Sequence, residues 1–418
     1  MEALAVIEAA RARKVFDSRG SPTIEIEIET ATGVGRCSAP AGASRGVHEA
    51  VAFPSGGVDE AIKLFEEEVA PKLVGLDAAD QKSIDETLKE IDGTPNFSRI
   101  GGSTAIASSI AAAKAAASSL GLPLYRWIGG AMANSLPIPL GNVLGGGKHA
   151  AAKALDIQEI LVFPLNARSV KEAIAINAEI HRRLPKRIAE VDDTFAGGKT
   201  DEGAWVARLN AVQALKIVRE VCDEVGDEYG CKVGLGIDMA ASSLWAPSKN
   251  LYVYAGEGVE RTPEEHLDFV LGLIEDYNLL YVEDPLHEED FEGFAELTRK
   301  VKNCLICGDD LFTTNPSRLR RGVEMSAARA IIIKPNQIGT LSASYETASL
   351  ARSSGMVIVV SHRSGETEDE ALAHIAVGFS AHLIKTGVVG GERIAKLNEL
   401  IRIEEELPSA TMSTLPVS

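Results

Sequence analysis

Six short apolar stretches in the second half of the chain are each closely followed by a charged residue. Three carry acids and three carry bases: Asp238, Glu283, Asp309, Lys334, His362 and Lys385. Further charged side chains follow at Asp284, Asp310 and Arg363. Three carboxylates brought together would repel one another without a cation. Oxygen ligands without cysteine favour a hard ion, so the acids predict a Mg²⁺ site that keeps some water ligands.

The two lysines of this set would add a base to the acids. A lysine near cations and away from bulk water has a lowered pKa and can act as a general base. A metal ion beside such a base suggests removal of a proton α to a carboxylate, because the dianionic intermediate needs concentrated positive charge. Structural salt bridges from Lys334 and Lys385 to the acids are the alternative. For one acid the two interpretations are equally supported, whereas three acids on consecutive strands favour the metal.

The spacing of the charged residues predicts the elements that hold them. Successive members of the set from Asp238 to Lys385 are 45, 26, 25, 28 and 23 positions apart, and the later intervals match one strand–helix unit. The carboxyl ends of parallel strands face one mouth in a βα barrel, where such barrels carry their chemistry. A doubly wound open sheet is the alternative, but no glycine-rich phosphate loop of standard spacing follows a first strand. We therefore predict a TIM-type barrel whose mouth receives the His362-Arg363-Ser364 tip.

The residues that precede the barrel region show a different pattern of apolar and charged residues. The stretch "SPTIEIEIET" alternates isoleucine with glutamate, the period of a half-exposed antiparallel strand whose glutamates face solvent. Helical patterns follow over residues 58–73, 79–91 and 103–120. The chain is therefore predicted to be an α/β protein with a smaller α+β N-terminal domain, residues 1–130, that carries a lid loop. The barrel domain is predicted over residues 131–418.

Composition limits the classes of partner. The 418 residues carry a net charge of −18, with 45% apolar and 24% charged residues, which argues against binding to nucleic acid or a membrane surface. The beginning, "MEALAVIEAARARKVF", does not resemble a signal peptide, and the Ala/Ser-rich helix at 103–120 suits a core better than a membrane span. Five cysteines then predict a reducing cytosol and a cytoplasmic protein. Cys304 and Cys307 form one C-x-x-C without a second pair, so buried thiols are favoured over a metal or redox site.

A set of motifs extends over nearly the whole chain, from about Arg13 to Leu407. These motifs are "SHRSGETED", "VEDP", "GDDLFTTN", "KPNQIGT", "DSRGSPT", "LDIQE", "DGTPN" and "RIEEEL". Together they closely resemble the enolase family, with the archaeal type the nearest match. The resemblance implies a glycolytic lyase that reversibly dehydrates 2-phosphoglycerate to phosphoenolpyruvate. Two Mg²⁺ ions are implied, the second arriving with substrate.

The resemblance also implies roles for single residues at the metal ions and the lid. Asp238, Glu283 and Asp309 would bind the tighter magnesium. The family's lid loop matches "AGASRG", in which Ser44 would bind the second magnesium. Gly42 and Gly46 on either side suit a mobile closing loop.

Further implied roles concern the substrate. Lys334 would remove the C2 proton, and Glu202 of "TDEGA" would help the C3 hydroxyl to leave, with Glu159 beside it. By its own surroundings in the sequence, Glu202 would be an exposed loop acid. The remaining implied substrate contacts are Lys385 for the carboxylate, Arg363 and Ser364 for the phosphate, Gln158 as a supporting residue, and His149 and His362 closing around the substrate.

This sequence departs from the family pattern at three places. The lid reads Ala41-Gly42-Ala43-Ser44-Arg45, the loop around the acid reads "TDEGA", and Val388–Arg393 lacks the first arginine of the family's segment. These changes bear on turnover and oligomer contacts, which in this family are those of a homodimer or an octamer. Two alternatives stay open: a superfamily relative acting on another carboxylate, such as a racemase or ammonia lyase, and a non-catalytic enolase-like binding protein.

Overall fold

The computed structural model describes residues 5–42, 46–150 and 155–417, the side chain of His149 excepted. Within these residues, a small sheet with helices is followed by a closed eight-stranded barrel, which confirms the predicted fold class. No single helix of the described ranges is long and apolar enough to cross a membrane. One bent pair, Gly102–Ser119 with Leu124–Met132, would meet the criteria of length and composition together, with a 98° bend between its members.

The N-terminal part is an antiparallel sheet covered by helices. Its strands, in this order in the sheet, are β1 (Ile7–Phe16), β2 (Pro22–Thr30) and β3 (Val34–Ser38). The helices are α1 (Gly57–Leu64), α2 (Ala70–Leu73), α3 (Gln81–Asp92), α4 (Gly102–Ser119) and α5 (Leu124–Gly129), with a π-helical turn, Phe65–Val69, after α1. The predicted helices are therefore confirmed, with ends that differ by one or two residues.

The predicted alternation of β2 is confirmed on its apolar face. Ile24, Ile26 and Ile28 are fully buried, and α4 packs against β2 and β3. The glutamate face is less solvated than predicted, because Glu25 is only 9% exposed. The guanidinium of Arg13 on β1 donates to its Oε1 at 2.7 Å. Cross-strand ion pairs thus cover this face of the sheet.

Thirteen strands follow the N-terminal part within residues 46–150 and 155–417. They are β4 (Ser135–Leu136), β5 (Ile138–Gly145), β6 (Glu159–Pro164), β7 (Val233–Asp238), β8 (Trp245–Ala246), β9 (Leu251–Tyr254), β10 (Val259–Arg261), β11 (Tyr281–Glu283), β12 (Leu305–Gly308), β13 (Ala330–Ile333), β14 (Val357–Ser361), β15 (Leu383–Lys385) and β16 (Thr411–Met412). The barrel order is β5-β6-β7-β11-β12-β13-β14-β15, closed by pairing of β15 with β5. β8 to β10 form a separate sheet, and β4 pairs with β16.

In the described part of the chain, nine α-helices accompany these strands. They are α6 (Val170–Ala189), α7 (Ala211–Tyr229), α8 (Pro263–Tyr277), α9 (Phe291–Lys300), α10 (Pro316–Met325), α11 (Pro335–Ile338), α12 (Leu341–Ser353), α13 (Ala371–Gly378) and α14 (Gly391–Glu406). Local signals fix their ends. The Thr262 hydroxyl accepts from the Glu265 N–H, and the Glu265 carboxylate accepts from the Thr262 N–H, so a capping box starts α8 with Pro263 at its first position.

One strand departs from the predicted regular alternation of strand and helix. β5 is followed by β6, which runs antiparallel to both β5 and β7. The register places Glu159, the first residue of β6, opposite Asp238, the last residue of β7. Gln158 and Glu159 therefore reach the barrel mouth from the beginning of a strand, whereas Asp238, Glu283 and Lys385 reach it from strand ends.

The two cysteines of the C-x-x-C stretch lie on opposite sides of the barrel wall. Cys307 belongs to the apolar set that fills the barrel interior, with Phe163 and Tyr281. Cys304 belongs to the set between the barrel and its surrounding helices. Both thiols are free and buried, and burial raises the pKa of each. The prediction of buried thiols is confirmed.

A partly buried ion pair connects the N-terminal part to the barrel. The Lys114 ammonium on α4 donates to Asp369 Oδ1 at 3.0 Å, in the loop after β14. Replacing Lys114 by methionine would leave the partly buried Asp369 carboxylate without this partner, and we expect a loss of about 1–3 kcal/mol in the free energy of unfolding. Urea denaturation measures this loss. Lys82→Met, which removes an exposed pair with Glu86, is the control and should change stability by less than about 0.5 kcal/mol. Equal losses in the two variants would contradict the expectation.

Candidate active site

The charged residues predicted from the strand ends lie at one mouth of the barrel. Asp238, Glu283 and Lys385 are the last residues of β7, β11 and β15. Lys334 follows β13, and His362 follows β14. A small cavity opens among these elements. It is lined by Gly42, Gln158, Glu159, Glu202, Asp238, Lys334, Ser361, His362, Arg363, Ser364 and Lys385.

Lys385 sits among three acids. Its ammonium lies 3.0 Å from Asp238 Oδ2, 2.9 Å from Glu283 Oε1 and 3.0 Å from Glu159 Oε2. Burial would lower the pKa of Lys385, but the acids, Asp238 first, hold it well above its ordinary value. The single positive charge of Lys385 does not fully compensate the negative charges of the three acids. Burial and the neighbouring Asp238 raise the pKa of Glu283 to about 7.

Lys334 forms an ion pair with Asp309, and Gln337 Nε2 donates to the other oxygen of that carboxylate at 2.9 Å. Lys334 is only partly exposed, and its burial by itself would lower its pKa, but the Asp309 charge outweighs burial and the pKa of Lys334 lies above its ordinary value. The sequence predicts a lowered pKa, and that prediction is wrong for the protein alone. The prediction assumes neighbouring cations, whereas here the nearest partner is an anion. The salt bridges considered as the alternative are thus present for both Lys334 and Lys385.

A second group of acids is more compact than the predicted metal-binding set. One carboxylate oxygen from each of Asp284, Asp309 and Asp310 lies within 4.8 Å of the others. Asp284 accepts from the backbone N–H groups of Asp309 at 2.9 Å and Asp310 at 2.7 Å, with its own φ at 40°. Burial and Asp309 raise the pKa of Asp310 to about 8. Asp309 belongs to both groups, so the two sets of acids adjoin at the mouth.

Glu202 is buried at the mouth and is not the exposed loop acid that its local sequence suggests. It is 3% exposed, and Asn142 Nδ2 donates to its Oε2 at 3.2 Å. Its Oε1 lies 3.8 Å from His362 Nε2. Burial raises the pKa of Glu159 well above its ordinary value, and the charge of Glu202 adds to this rise. The structure therefore brings together the two acids that the family resemblance associates.

A turn anchors Glu202 from both sides. Gly203, with φ at +82°, sits so close to Val389 that a Cβ would lie 2.6 Å from the Val389 carbonyl oxygen. His181 Nε2 contacts the Gly203 carbonyl oxygen at 2.8 Å. The departure from the family pattern at Ala204 is accommodated in the interior, because Ala204 is fully buried. The loop is thus held by packing on both flanks.

Arg363 is buried beside a glutamate from the N-terminal part. Its guanidinium donates to Glu49 Oε2 at 2.8 Å and Oε1 at 3.2 Å, and to Asn336 Oδ1 at 3.1 Å. Sequence reasoning missed Glu49, because its partner lies 314 positions away and nothing local marks it. The backbone N–H of Gly46 donates to Glu49 Oε1 at 3.0 Å, so Glu49 joins Arg363 to the end of the predicted lid.

Three further predicted site residues are Gln158, Ser44 and His149. Gln158 Nε2 donates to Asp238 Oδ2 at 3.2 Å, which places it beside a predicted metal ligand. Gly42 and Gly46 border residues 43–45, so Ser44 lies outside the described residues. His149 lies in a 3₁₀ turn, Gly147–His149, but its side chain is not described. The roles of Ser44 and His149 stay predictions.

Fold and site together define a barrel enzyme with an acid–base mouth, and comparison with known proteins identifies the family. Residues 133–414 match the family model "Enolase, C-terminal TIM barrel domain", and residues 7–128 match "Enolase, N-terminal domain". Proteins named "Enolase" from two archaea are similar over nearly the whole chain. The relative from Methanothermobacter thermautotrophicus is 55% identical, over 98% of this chain and 99% of its own length. The relative from Pyrobaculum aerophilum is 56% identical, over 96% of this chain and 97% of its own length.

The chain therefore belongs to the enolase family. With that family comes its activity, the lyase reaction of a phosphopyruvate hydratase in glycolysis. Family membership also implies a divalent metal ion.

Proposed function

We propose that this chain reversibly dehydrates 2-phosphoglycerate to phosphoenolpyruvate, with Lys334 as base and Glu202 as acid. The observation that carries the proposal is that Lys334, Glu202, His362, Arg363 and Lys385 line one cavity. A base, an acid and cationic groups for a carboxylate and a phosphate meet there. Loss of a proton α to a carboxylate and departure of a β-hydroxyl require this combination.

The proton transfers follow from the two ends of this set. Lys334, in its neutral form, takes the proton from C2. Glu202 gives a proton to the C3 hydroxyl, the C3–O bond breaks, water leaves and the C2–C3 double bond forms. Lys334 then carries the C2 proton and Glu202 is ionised, so the reverse reaction uses the same two groups in opposite roles. Burial first, and then the neighbouring charge of Glu202, raise the pKa of Glu159, which supports the presence of one proton on this pair of neighbouring acids.

Asp238, Glu283 and Asp309 would hold the tighter Mg²⁺. Their chemistry supports a fit to a hard cation, since all three are buried carboxylates. The lysines only partly offset the burial and the mutual repulsion that raise the pKa of Glu283. When bound, Mg²⁺ supplies positive charge that neutralises these acids, including the partner of Lys334, and that offsets charge developing on the substrate carboxylate. A second Mg²⁺ would arrive with substrate and take Ser44 as a ligand.

The remaining lining residues would bind the substrate. Lys385 would pair with its carboxylate, and Arg363 with Ser364 would bind its phosphate. The bidentate contact from Glu49 supports this role, because it fixes the plane of the Arg363 guanidinium before substrate arrives. Gln158, His149 and His362 would complete the enclosure.

The wider organisation is proposed on the same basis. Residues 1–130 would form the domain that carries the lid, and residues 131–418 the catalytic barrel. The separate matches to the N-terminal and barrel domains of the family support this division. We also propose a cytoplasmic homodimer or octamer whose partner is a small phosphorylated acid, without nucleic acid and without membrane insertion. The net charge of −18 supports the absence of a nucleic-acid partner.

A spectrophotometric assay of the purified protein tests the activity. Phosphoenolpyruvate should form from 2-phosphoglycerate only when Mg²⁺ is present. Turnover of a carboxylate without phosphate, and none of 2-phosphoglycerate, would instead indicate a superfamily relative of different specificity. No turnover of either substrate would indicate a binding protein.

The lid gives a separate prediction. Ser44→Ala should lower kcat by at least about tenfold and raise the Mg²⁺ requirement, since it removes an oxygen ligand. Arg45→Thr should raise KM, with kcat unchanged or modestly higher, because the arginine attracts an anionic substrate but also retards opening. Steady-state kinetics across a Mg²⁺ titration measures both effects. Wild-type constants for Ser44→Ala would mean that the lid supplies no ligand to the second ion.

A further inference from the structure

Arg393, at the start of α14, is the largest fully buried side chain among the described residues. A guanidinium in the interior is costly unless its N–H groups find acceptors. One contact lies within its own helix, where Nε is 3.3 Å from Glu392 Oε1, and its other polar contacts lie outside that helix. They reach two separate loops of the barrel mouth, each of which carries proposed catalytic or substrate-binding groups.

The first loop is the segment after β14. Arg393 Nη1 lies 3.0 Å from His362 Nδ1 and donates to the Arg363 carbonyl oxygen at 2.6 Å. Nη2 donates to the Ser364 carbonyl oxygen at 2.5 Å. One side chain therefore contacts three successive residues, of which the last two are proposed to bind phosphate.

The second loop carries Glu202. Arg393 Nη2 also donates to the carbonyl oxygen of Asp201 at 3.1 Å. The guanidinium thus joins the loop of the proposed acid to the loop of the proposed phosphate site. Two loops that are far apart in the chain are held at a fixed separation by a single planar group.

The contact with His362 also decides where the imidazole carries its proton. An arginine donates and never accepts, so Nδ1 of a neutral His362 must be the acceptor and its proton must lie on Nε2. Nε2 is the atom that faces Glu202 Oε1, at 3.8 Å. Burial and the charge of Arg393 hold the pKa of His362 well below its ordinary value, which keeps the ring neutral. The other charged groups that face the ring are Glu202, Lys385 and Lys334.

We propose that Arg393 is a positioning residue that fixes the tautomer and orientation of His362 and holds the loop of Glu202 against the loop of Arg363 and Ser364. The inference rests on the proposed function, because the groups it positions are those of the dehydration. Arg393 itself does not line the cavity and acts only through its neighbours.

Two variants and one control test the proposal. Arg393→Lys keeps a positive charge, but a single ammonium does not span both loops, so kcat should fall about 10–100-fold with a smaller change in KM. Arg393→Ala also removes the charge beside His362. The pKa of His362 should then rise, and the acidic limb of the kcat/KM profile should move to higher pH. Guanidinium chloride at millimolar concentration should restore part of the kcat of Arg393→Ala, because the free ion can occupy the vacated space.

Arg329→Ala is the matched control. Arg329 precedes β13 at the opposite end of the barrel and also donates to backbone carbonyls, those of Lys302 and Thr298. Its removal should affect stability but neither the pH profile nor the response to guanidinium.

The outcomes separate the inference from the proposed function. Wild-type protein that does not dehydrate 2-phosphoglycerate would contradict the proposed function before any variant is made. Active wild-type protein together with an Arg393→Lys variant of unchanged kcat would overturn the inference. Recovery of the thermal midpoint of Arg393→Ala by guanidinium, without recovery of kcat, would reduce Arg393 to a structural role. If Arg393→Ala does not fold, Arg393→Lys decides alone.

Discussion

Replacing Lys334 by alanine is expected to abolish dehydration of 2-phosphoglycerate and exchange of its C2 proton with solvent. Loss of a general base costs about 10²–10⁴-fold in rate, and the other lysine that lines the described part of the mouth, Lys385, is held by three acids. Asp309 would lose its ion-pair partner and stability should fall, but the apolar interior of the barrel is untouched and the fold should persist, which circular dichroism checks. Deuterium exchange at C2, followed by NMR in D₂O, measures the proton transfer directly.

Glu202→Gln is the matched control for this variant. It removes the acid but leaves the base, so C2 exchange should continue while dehydration is lost. The pair of variants separates removal of the proton from departure of the hydroxyl. Retained C2 exchange in Lys334→Ala would falsify the assignment of the base.

Removal of divalent cations is expected to eliminate activity, and Mg²⁺ is expected to restore it. The buried carboxylates at the mouth outnumber the lysines that pair with them, so a cation should bind tightly there. Asp238→Asn removes a ligand charge at nearly constant volume. It should raise the Mg²⁺ concentration for half-maximal activity by at least about tenfold, and the protein should remain folded without metal.

The two overlapping groups of acids make this a comparison between two sites. Asp238 belongs only to the predicted ligand set, whereas Asp310 belongs only to the compact group with Asp284 and Asp309. Asp310→Asn should therefore leave the Mg²⁺ requirement close to that of the wild type. The reverse pattern would place the metal in the compact group. Full activity of protein stripped of metal would rule out both.

The fold was largely predictable because the strands of a barrel leave a strong mark on the sequence. Apolar runs followed by charged residues locate β7 and β11 to β15, and the mouth then follows from their parallel arrangement. The direction of β6 was not predictable in this way. An apolar run does not indicate whether its strand will lie parallel or antiparallel to its neighbours. Glu159 stands at the start of β6, and nothing in the sequence around it marks the strand as antiparallel.

The site residues likewise differ in how far they could be predicted. Strand ends located Asp238, Glu283, Lys334 and Lys385 without any knowledge of relatives. Glu202 required the family resemblance, because its burial depends on packing against residues remote in the chain. Neither Glu49 nor Arg393 could be identified as a site residue from the sequence. Their partners lie 314 and 31 positions away. In a sequence, a charged residue that orients another site residue cannot be distinguished from a charged residue on the surface.

The reversed strand β6 also determines where this chain can change length. Side chains alternate between faces along a strand, and in β6 Leu161 and Phe163 point into the barrel while Ile160 and Val162 face the helices. Deleting one residue within residues 160–163 would exchange these faces and displace Glu159 from Asp238. A residue added between Gly145 and Gln158 would leave the pairing of Gly145 with Glu159 intact. Insertions and deletions among descendants of this protein should therefore accumulate in the connection that precedes β6 and be excluded from the strand itself.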